Sequence, residues 1–373
     1  SDDIVVLYTN DVHCGIDDSI GYAGLAAYKA DKLKETKNVV LVDAGDAIQG
    51  DLAGALSKGD YIVDIMNQVG YDVAIPGNHE FDFGMDQFLA LTKKSNAKYI
   101  SSNFTDTKAN KTVFDPYVIK ELGGKKVAFV GISTPESITK STPAFFQDEK
   151  GNYIYDFCND KTGKKLYKAV QNAIDAAKAE GADYVIALGH MGIDDQSKPW
   201  TSREVIANTT GLNAFIDGHS HSTVASEAVK DKDGKEVTLS QTGTKLAAIG
   251  ELIITADGKI STSLVTDYAE KDEKTASLIK EVKDKIEAVS SKKVGTSEVL
   301  LTTLDAEGKR AVRNQETNMG NFCADAYRII GGADIGIVQG GGVRADIKAG
   351  DVTYGDIIAL HPWGNMCGVI EAT

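Results

Sequence analysis

The sequence predicts an α/β fold, and three observations carry that expectation. Short runs rich in β-branched residues alternate with segments of helical spacing over residues 1–268. The 373-residue chain is 42% hydrophobic, which suffices for a real core and, at about 100–200 residues per domain, for two or three domains. Five of the six histidines fall in short polar motifs placed directly after strand-like runs.

Taken in order, residues 4–8, 39–42, 73–75, 99–101, 127–132, 184–188 and 214–216 read as strands. Helices are predicted between several of them. Residues 22–34 place Leu25, Tyr28 and Leu33 on one side, and residues 60–69 do so with Ile62, Ile65, Met66 and Val69. Residues 166–179 repeat the pattern with Leu166, Val170, Ala173, Ile174 and Ala177. After Ser222 a β-rich stretch follows at 237–241, 248–255 and 260–268, with a hairpin turn at Ala256-Asp257-Gly258. Residues 269–290 are charged and helical, with Leu278, Val282, Ile286 and Val289 as the apolar stripe, and are expected to link two units. The second unit is expected to contain a helix at 318–330, a strand at 334–338, a glycine run, a helix at 354–360 and a last strand at 367–372.

Composition removes several function classes. The net charge of −14 argues against a binder of nucleic acid polymers, which needs a basic stripe, and against attachment to an anionic membrane. No apolar run reaches the roughly 18 residues of a membrane span. The four cysteines (Cys14, Cys158, Cys323, Cys367) are dispersed and form no CxxC pair, so neither a disulfide framework nor a thiolate zinc site is expected. Cys14 is expected to pack beneath a site, and Cys323 and Cys367 to be ordinary buried thiols.

The chemistry-bearing motifs are Asn10-Asp11-Val12-His13, Gly45-Asp46, Gly77-Asn78-His79-Glu80, Gly189-His190 and Gly218-His219-Ser220-His221. Each follows a strand-like run at its carboxyl end, where open α/β sheets bind ligands. One Asp before a turn is normally a turn former and one His after a strand a packed residue. Five such motifs in succession instead match a dinuclear metal site, since Asp and His donate oxygen and nitrogen to Zn, Mn or Fe. Asp46 can bridge two ions, Asn78 offers a neutral carbonyl oxygen, and His190, His219 and His221 complete the donor set.

In this order the motifs resemble the calcineurin-like metallophosphoesterases, and GNHEFD with GHSH looks like their 5′-nucleotidase/UDP-sugar hydrolase branch. ETNMGNF, QGGGVRADI and TYGDIIALHPWGN resemble that branch's nucleotide-binding domain, so the similarity spans essentially the whole chain. The resemblance implies a four-layer metallophosphoesterase β-sandwich flanked by helices over residues 1–268. It further implies a linker helix over 269–292 and part of an α/β 5′-nucleotidase C-terminal domain over 293–373. That second domain is expected to be incomplete, because relatives continue well past HPWGN and carry a second base-stacking aromatic there; nucleotide selection is expected to suffer accordingly.

By the same resemblance, one metal would be held by Asp11, His13, Asp46 and His221, where many relatives carry Gln in the last position. The other would be held by Asp46, Asn78, His190 and His219. Zn or Mn would fill the two sites, with Mg, Co or Fe as alternatives. His79 would act on the phosphate, oriented by Asp82. Arg313 and Arg344 would bind phosphate bidentately, the Gly341-Gly342 turn would face the nucleotide, and Trp363 would stack on the base where relatives carry Phe. Gln339 stands where relatives carry Asn, and His361 is expected to be structural.

The implied activity is metal-dependent release of phosphate from nucleoside 5′-phosphates, in nucleotide catabolism and nucleoside salvage. UDP-sugar hydrolysis, 2′,3′-cyclic-nucleotide cleavage and nucleotide sequestration without catalysis are the alternatives. The implied partner is a nucleotide substrate; no protein partner can be read. The family and the abrupt Ser1-Asp2-Asp3 start imply an extracellular, cell-surface or periplasmic setting.

Overall fold

The computed structural model describes residues 1–372; Thr373, the end of the expected second domain, lies outside the described residues. In chain order the elements are β1 (Ile4–Thr9), α1 (Gly21–Glu35), β2 (Val39–Asp43), α2 (Leu52–Ser57), α3 (Asp60–Val69), β3 (Val73–Ala74), α4 (Met85–Lys94) and β4 (Lys98–Tyr99). Three short strands, β5 (Thr105–Asp106), β6 (Lys111–Thr112) and β9 (Tyr155–Asp156), make a small separate sheet. Between them run β7 (Tyr117–Leu122), β8 (Lys125–Ile132) and α5 (Ser137–Lys140). Then come α6 (Lys164–Ala179), β10 (Tyr184–Gly189), α7 (Ser202–Ala207), β11 (Ala214–Ile216), β12 (Thr223–Lys230), β13 (Glu236–Thr242), β14 (Ile249–Ile254) and β15 (Ile260–Val265). The chain ends with α8 (Glu273–Ser290), β16 (Lys293–Ser297), α9 (Asn318–Gly331), β17 (Gly350–Thr353) and α10 (Tyr354–Leu360).

Two six-stranded sheets form the first unit, in the orders β15-β14-β1-β2-β3-β4 and β12-β13-β11-β10-β8-β7. The neighbours β1 to β4 run parallel, as do β8, β10, β11 and β13. Alternate residues of each strand point to opposite faces. Val6, Tyr8, Val40 and Val42 therefore meet Val127, Phe129, Ile186, Leu188 and Ile216 in one core between the sheets. On the far side of the second sheet, Val130, Ala187 and Phe215 pack on Leu166, Val170 and Ile174 of α6 and Val205 of α7. On the far side of the first, α1 packs on β2 and α3. Helices, sheet, sheet and helices make the expected four layers. At about 25 cal/mol per Å² of apolar surface, this continuous burial is the main stabilising term.

Register brings the strand ends level. Thr9 pairs with Asp43, Asp43 with Ala74, and Leu188 with Ile216. The loops leaving β1, β2, β3, β10 and β11 consequently emerge at the same edge of the sandwich.

The chain divides into two compact units, Ser1–Gln49 with Lys58–Ile279, and Gly50–Ser57 with Lys280–Thr373. Helix α8 runs through the boundary between Ile279 and Lys280. Its buried apolar residues are Ile279 and Val282, with Leu278 and Ile286 half-buried and Val289 exposed, so the predicted stripe is displaced by one position at its start and lost at its end. The second unit pairs β16 with β17 over a small core of Val312, Met319, Cys323, Val343, Ile347, Val352 and Leu360.

Two predicted strands do not form. Residues 334–338 and 367–372 carry no ladder pairing, and Ile335, Ile337 and Ile370 are 76%, 84% and 88% exposed. High β-propensity makes a strand only where backbone hydrogen bonds to a neighbour form; residues 335–337 and 366–370 line a common pocket, but no ladder forms there among the described residues. For the same reason Cys367 is exposed rather than a buried thiol, whereas Cys14 and Cys323 are buried as expected.

Candidate metal centre

The five polar motifs converge. Asp11 and His13 leave β1, Asp46 leaves β2, Asn78 and His79 follow β3 in a short turn (Asn78–Phe81), His190 leaves β10, and His219 and His221 leave β11. Asp11, His13 and His221 form one cluster of donor atoms, all within 4.8 Å of one another, and Asp46, His190 and His219 form a second. Asp46 Oδ2 lies between the clusters, 3.6 Å from His13 Nε2 and 3.0 Å from His190 Nε2.

The backbone is bent to achieve this. Asp11, His13, Asp46, His219 and His221 all adopt left-handed φ values between 47° and 80°. Each costs on the order of 1–3 kcal/mol, a strain found where surrounding structure over-determines a functional geometry. Gly45 makes the close approach workable: its φ is 93°, and a Cβ there would meet Gly77 N at 2.6 Å and His190 Nδ1 at 2.9 Å.

Hydrogen bonds orient the donors and leave lone pairs over. His13 Nδ1 donates to the Gln49 carbonyl (2.8 Å) and His190 Nδ1 to the Ala44 carbonyl (2.6 Å). With Nδ1–H so used, both rings turn an Nε2 lone pair towards the carboxylates; that of His13 also lies 3.1 Å from His221 Nε2. Asp11 Oδ2 accepts from Asn10 Nδ2 (2.7 Å) and His219 N (2.8 Å), which leaves Oδ1 without a partner. Asp11 Oδ1, Asn78 Oδ1 and His190 Nε2 are buried without a hydrogen bond. An unsatisfied buried polar atom costs about 1–3 kcal/mol, and Asp11 Oδ1 and His190 Nε2, only 3.7 Å apart, are what a cation would satisfy. The donor set, hard oxygen with imidazole nitrogen, fits a divalent ion.

The electrostatics agree. Burial alone would raise the Asp11 and Asp46 carboxyls, yet the surrounding histidines hold both below the usual range. Burial would lower His190, but Asp46 and Asp11 pull it well above an ordinary imidazole. The pocket attracts positive charge strongly enough to overcome desolvation.

His79 sits beside the clusters rather than within them. Its Nδ1 faces Asp82 Oδ2 at 2.6 Å, and Ser141 Oγ donates to Asp82 Oδ1 at 2.7 Å. Burial lowers its pKa, but Asp46 and Asp82 raise it to about 9.

Four supporting residues escaped the sequence reading. Buried Glu80 accepts from Asp46 N (2.7 Å), Ala47 N (2.7 Å) and Gly77 N (2.6 Å), tying two loops together. Asn10 orients Asp11, and Asp217 Oδ1 accepts from Met191 N and Gly192 N behind His190. These three lie within or next to a motif, which was a usable signal. Glu136, whose Oε1 lies 3.2 Å from His219 Nε2, is remote in sequence from every motif.

In the second unit Gly340–Gly342 forms a tight turn against the backbone of residues 312–313: a Cβ on Gly340 would meet Val312 O at 2.2 Å and Arg313 Cα at 3.1 Å. Arg344 Nη1 donates to the Gly341 carbonyl (3.3 Å), and its guanidinium lies 5.8 Å from the Trp363 ring centre. Burial and the charges of Arg310 and Arg313 depress the Arg344 pKa. Arg313, Gly341, Gly342, Arg344 and Trp363 thus share one basic corner, and Arg310 is a member the sequence reading did not name. His361 is structural, stacked on Tyr327 with Nδ1 donating to the Gly342 carbonyl (3.1 Å).

A four-layer α/β sandwich with two clusters of carboxylate and imidazole donors at its strand ends defines a metal-dependent phosphoesterase architecture. Residues 4–223 match the calcineurin-like phosphoesterase family model, and residues 293–373 match the 5′-nucleotidase C-terminal domain model. The chain belongs to the calcineurin-like phosphoesterase family.

It is 28% identical, over its whole length, to the trifunctional nucleotide phosphoesterase protein YfkN of Bacillus subtilis, of which it spans 27%. It is 27% identical to a 5′-nucleotidase of Vibrio parahaemolyticus, with 99% of this chain and 72% of that protein covered. The fold matches the crystal structure of a 5′-nucleotidase precursor from Thermus thermophilus, with a TM-score of 0.74 at 24% identity over 97% of this chain and 74% of that one. Among the described residues, no helix is long and apolar enough to cross a membrane.

Proposed function

We propose that this chain is a 5′-nucleotidase-type phosphohydrolase, releasing phosphate from nucleoside 5′-phosphates with two divalent ions. The observation that carries the proposal is the pair of donor clusters, in which the buried Asp11 Oδ1 and His190 Nε2 lie 3.7 Å apart and both lack a hydrogen bond, as does Asn78 Oδ1. One ion is assigned to Asp11, His13, Asp46 and His221, the other to Asp46, Asn78, His190 and His219. Zn or Mn suits these donors, with Mg, Co or Fe as alternatives. When bound, such ions supply charge to the phosphoryl oxygens and lower the pKa of water.

The remaining work falls to the chain. His79 gives Nδ1 to Asp82, and its Nε2–H is assigned to a phosphoryl oxygen. The Asp82 carboxylate, 2.6 Å from Nδ1, favours the protonated ring and orients it, so that it stabilises negative charge gathering in the transition state. Arg313 and Arg344 are assigned to phosphate, Gly341 and Gly342 to close backbone approach, and Trp363 to the base. Metal chemistry is assigned to residues 1–268 and nucleotide recognition to 293–373, with 269–292 as the connecting helix. An extracellular, cell-surface or periplasmic setting belongs to the proposal, because charged nucleotides do not cross membranes whereas the nucleosides released can be salvaged.

The test is phosphate release from AMP, UDP-glucose and 2′,3′-cyclic AMP after chelation and readdition of Mn, Zn, Co or Mg. Metal-restored release from AMP is expected. Product analysis separates nucleotidase from UDP-sugar hydrolase and cyclic phosphodiesterase activity, and no release with any metal would remove the hydrolase reading.

A further inference from the structure

His219 differs from the other buried imidazoles of the centre in which nitrogen it has committed. His13 and His190 each spend Nδ1 on a main-chain carbonyl and turn Nε2 inward. In His219 the arrangement is reversed. Its Nε2 lies 3.2 Å from Glu136 Oε1, and its backbone N–H is spent on Asp11 Oδ2. Nδ1 makes no hydrogen bond among the described residues. A carboxylate only accepts, so the proton of the ring resides on Nε2, and Nδ1 is the nitrogen carrying a lone pair.

Glu136 is itself held in place. Its backbone N–H donates to Thr134 Oγ1 (3.1 Å), and its other carboxylate oxygen, Oε2, pairs with Lys140 Nζ at 3.0 Å. The side chains of Glu136 and His219 are only 11% and 7% exposed, so water competes poorly for the contact.

We infer that Glu136 is a positioning residue of the second cluster, fixing His219 as the Nε2–H tautomer so that Nδ1 is presented to the cation shared with Asp46 and His190. This rests on the metal reading above. Glu136 plays the part that main-chain carbonyls play for His13 and His190, with a full negative charge in place of a dipole. That charge makes the ring a stronger donor, at the ligand contributed by a short strand, β11, and bearing the largest positive φ among the candidate ligands, 80°.

The test has two readouts that need no turnover. Nitrogen-15 NMR of the histidine rings in the metal-free protein should show His219 protonated on Nε2, with this preference lost in Glu136→Ala. Calorimetric titration of the metal-free protein with Mn²⁺ should show two equivalents bound in the parent. Glu136→Ala should bind one of them about 10–100-fold more weakly and leave the other unchanged. Glu136→Gln, which keeps an accepting oxygen and the side-chain volume, should keep the tautomer and lose less affinity; it carries the test if the alanine variant does not fold. A His219 protonated on Nδ1 in the parent, or two equivalents bound with parental affinity by Glu136→Ala, would overturn the inference while leaving the metal reading intact. A parent protein that binds no Mn²⁺ would sink both.

Discussion

At the scale of single residues, the centre is defined by atoms that lack partners. Asp46 is the residue whose loss should spread furthest, because its Oδ2 faces both donor clusters. Asp46→Asn is expected to abolish tight binding of both metal equivalents, measured by metal analysis after dialysis; full retention of both would show that Asp46 is not shared. His79 makes the opposite prediction. It stands outside both clusters, so His79→Asn should keep both metals and lower kcat by about 10²–10⁴-fold, the usual worth of a positioned acid or base. Parental kcat in that variant would remove His79 from the chemistry. In the second unit, Asp346 accepts from Thr303 N (2.7 Å), Thr303 Oγ1 (2.8 Å) and Thr302 Oγ1 (2.8 Å). Burial would raise its pKa, but these bonds hold it below an ordinary carboxyl. A depressed carboxyl stabilises the fold above its unfolded pKa of about 3.9 and loses that stabilisation as pH falls through the folded value. Asp346→Asn should therefore lower the unfolding midpoint of the second unit at pH 7, by a margin that shrinks as the pH is taken below about 4. A margin independent of pH would contradict this.

At the scale of elements, the site depends on what lies beneath the turn Asn78–Phe81. Phe81 is fully buried and its ring meets Phe88, Phe104, Phe146 and Phe157 at 4.9–5.5 Å between centres. The turn that carries Asn78 and His79 is thereby pinned to an aromatic core. Phe81→Ala should cost about 3–5 kcal/mol of stability, and in the protein that still folds His79 should lose its fixed relation to Asp82. Chemical denaturation measures the first effect, and a cost below about 1 kcal/mol would mean that the cluster does not anchor the turn. Sequence reading located the strands, the motifs at their ends and the helices at 60–69 and 166–179, because hydrophobic period and glycine placement are local signals. It placed strands at 334–338 and 367–372 from propensity alone and failed there, since pairing is a tertiary property that propensity does not encode. It missed Glu136 for a related reason: the contact with His219 is made by the fold across 83 residues of chain, and nothing local to Glu136 announces it.

For the whole molecule, the two units contribute separable properties, and kinetics can tell them apart. The donor clusters are built entirely from the first unit. The basic corner of Arg310, Arg313 and Arg344, with Trp363 beside Arg344, is built entirely from the second. Arg344 is exposed and has its charge held against two neighbouring arginines, an arrangement that costs free energy until an anion arrives. A phosphate accepted there would relieve that repulsion, and a guanidinium can meet it with two parallel hydrogen bonds. Arg344→Ala should accordingly raise the KM for AMP, on the order of 10-fold or more for the loss of a charged hydrogen bond worth about 1.5–3 kcal/mol, while both metal equivalents stay bound with unchanged affinity. Arg344→Lys keeps the charge and loses the fork, so it should fall between the two. If the substitution instead strips metal and leaves KM untouched, the division of labour is wrong. If neither moves, the basic corner has no part in binding nucleotide, and selection of the substrate must rest with the metal-bearing unit alone.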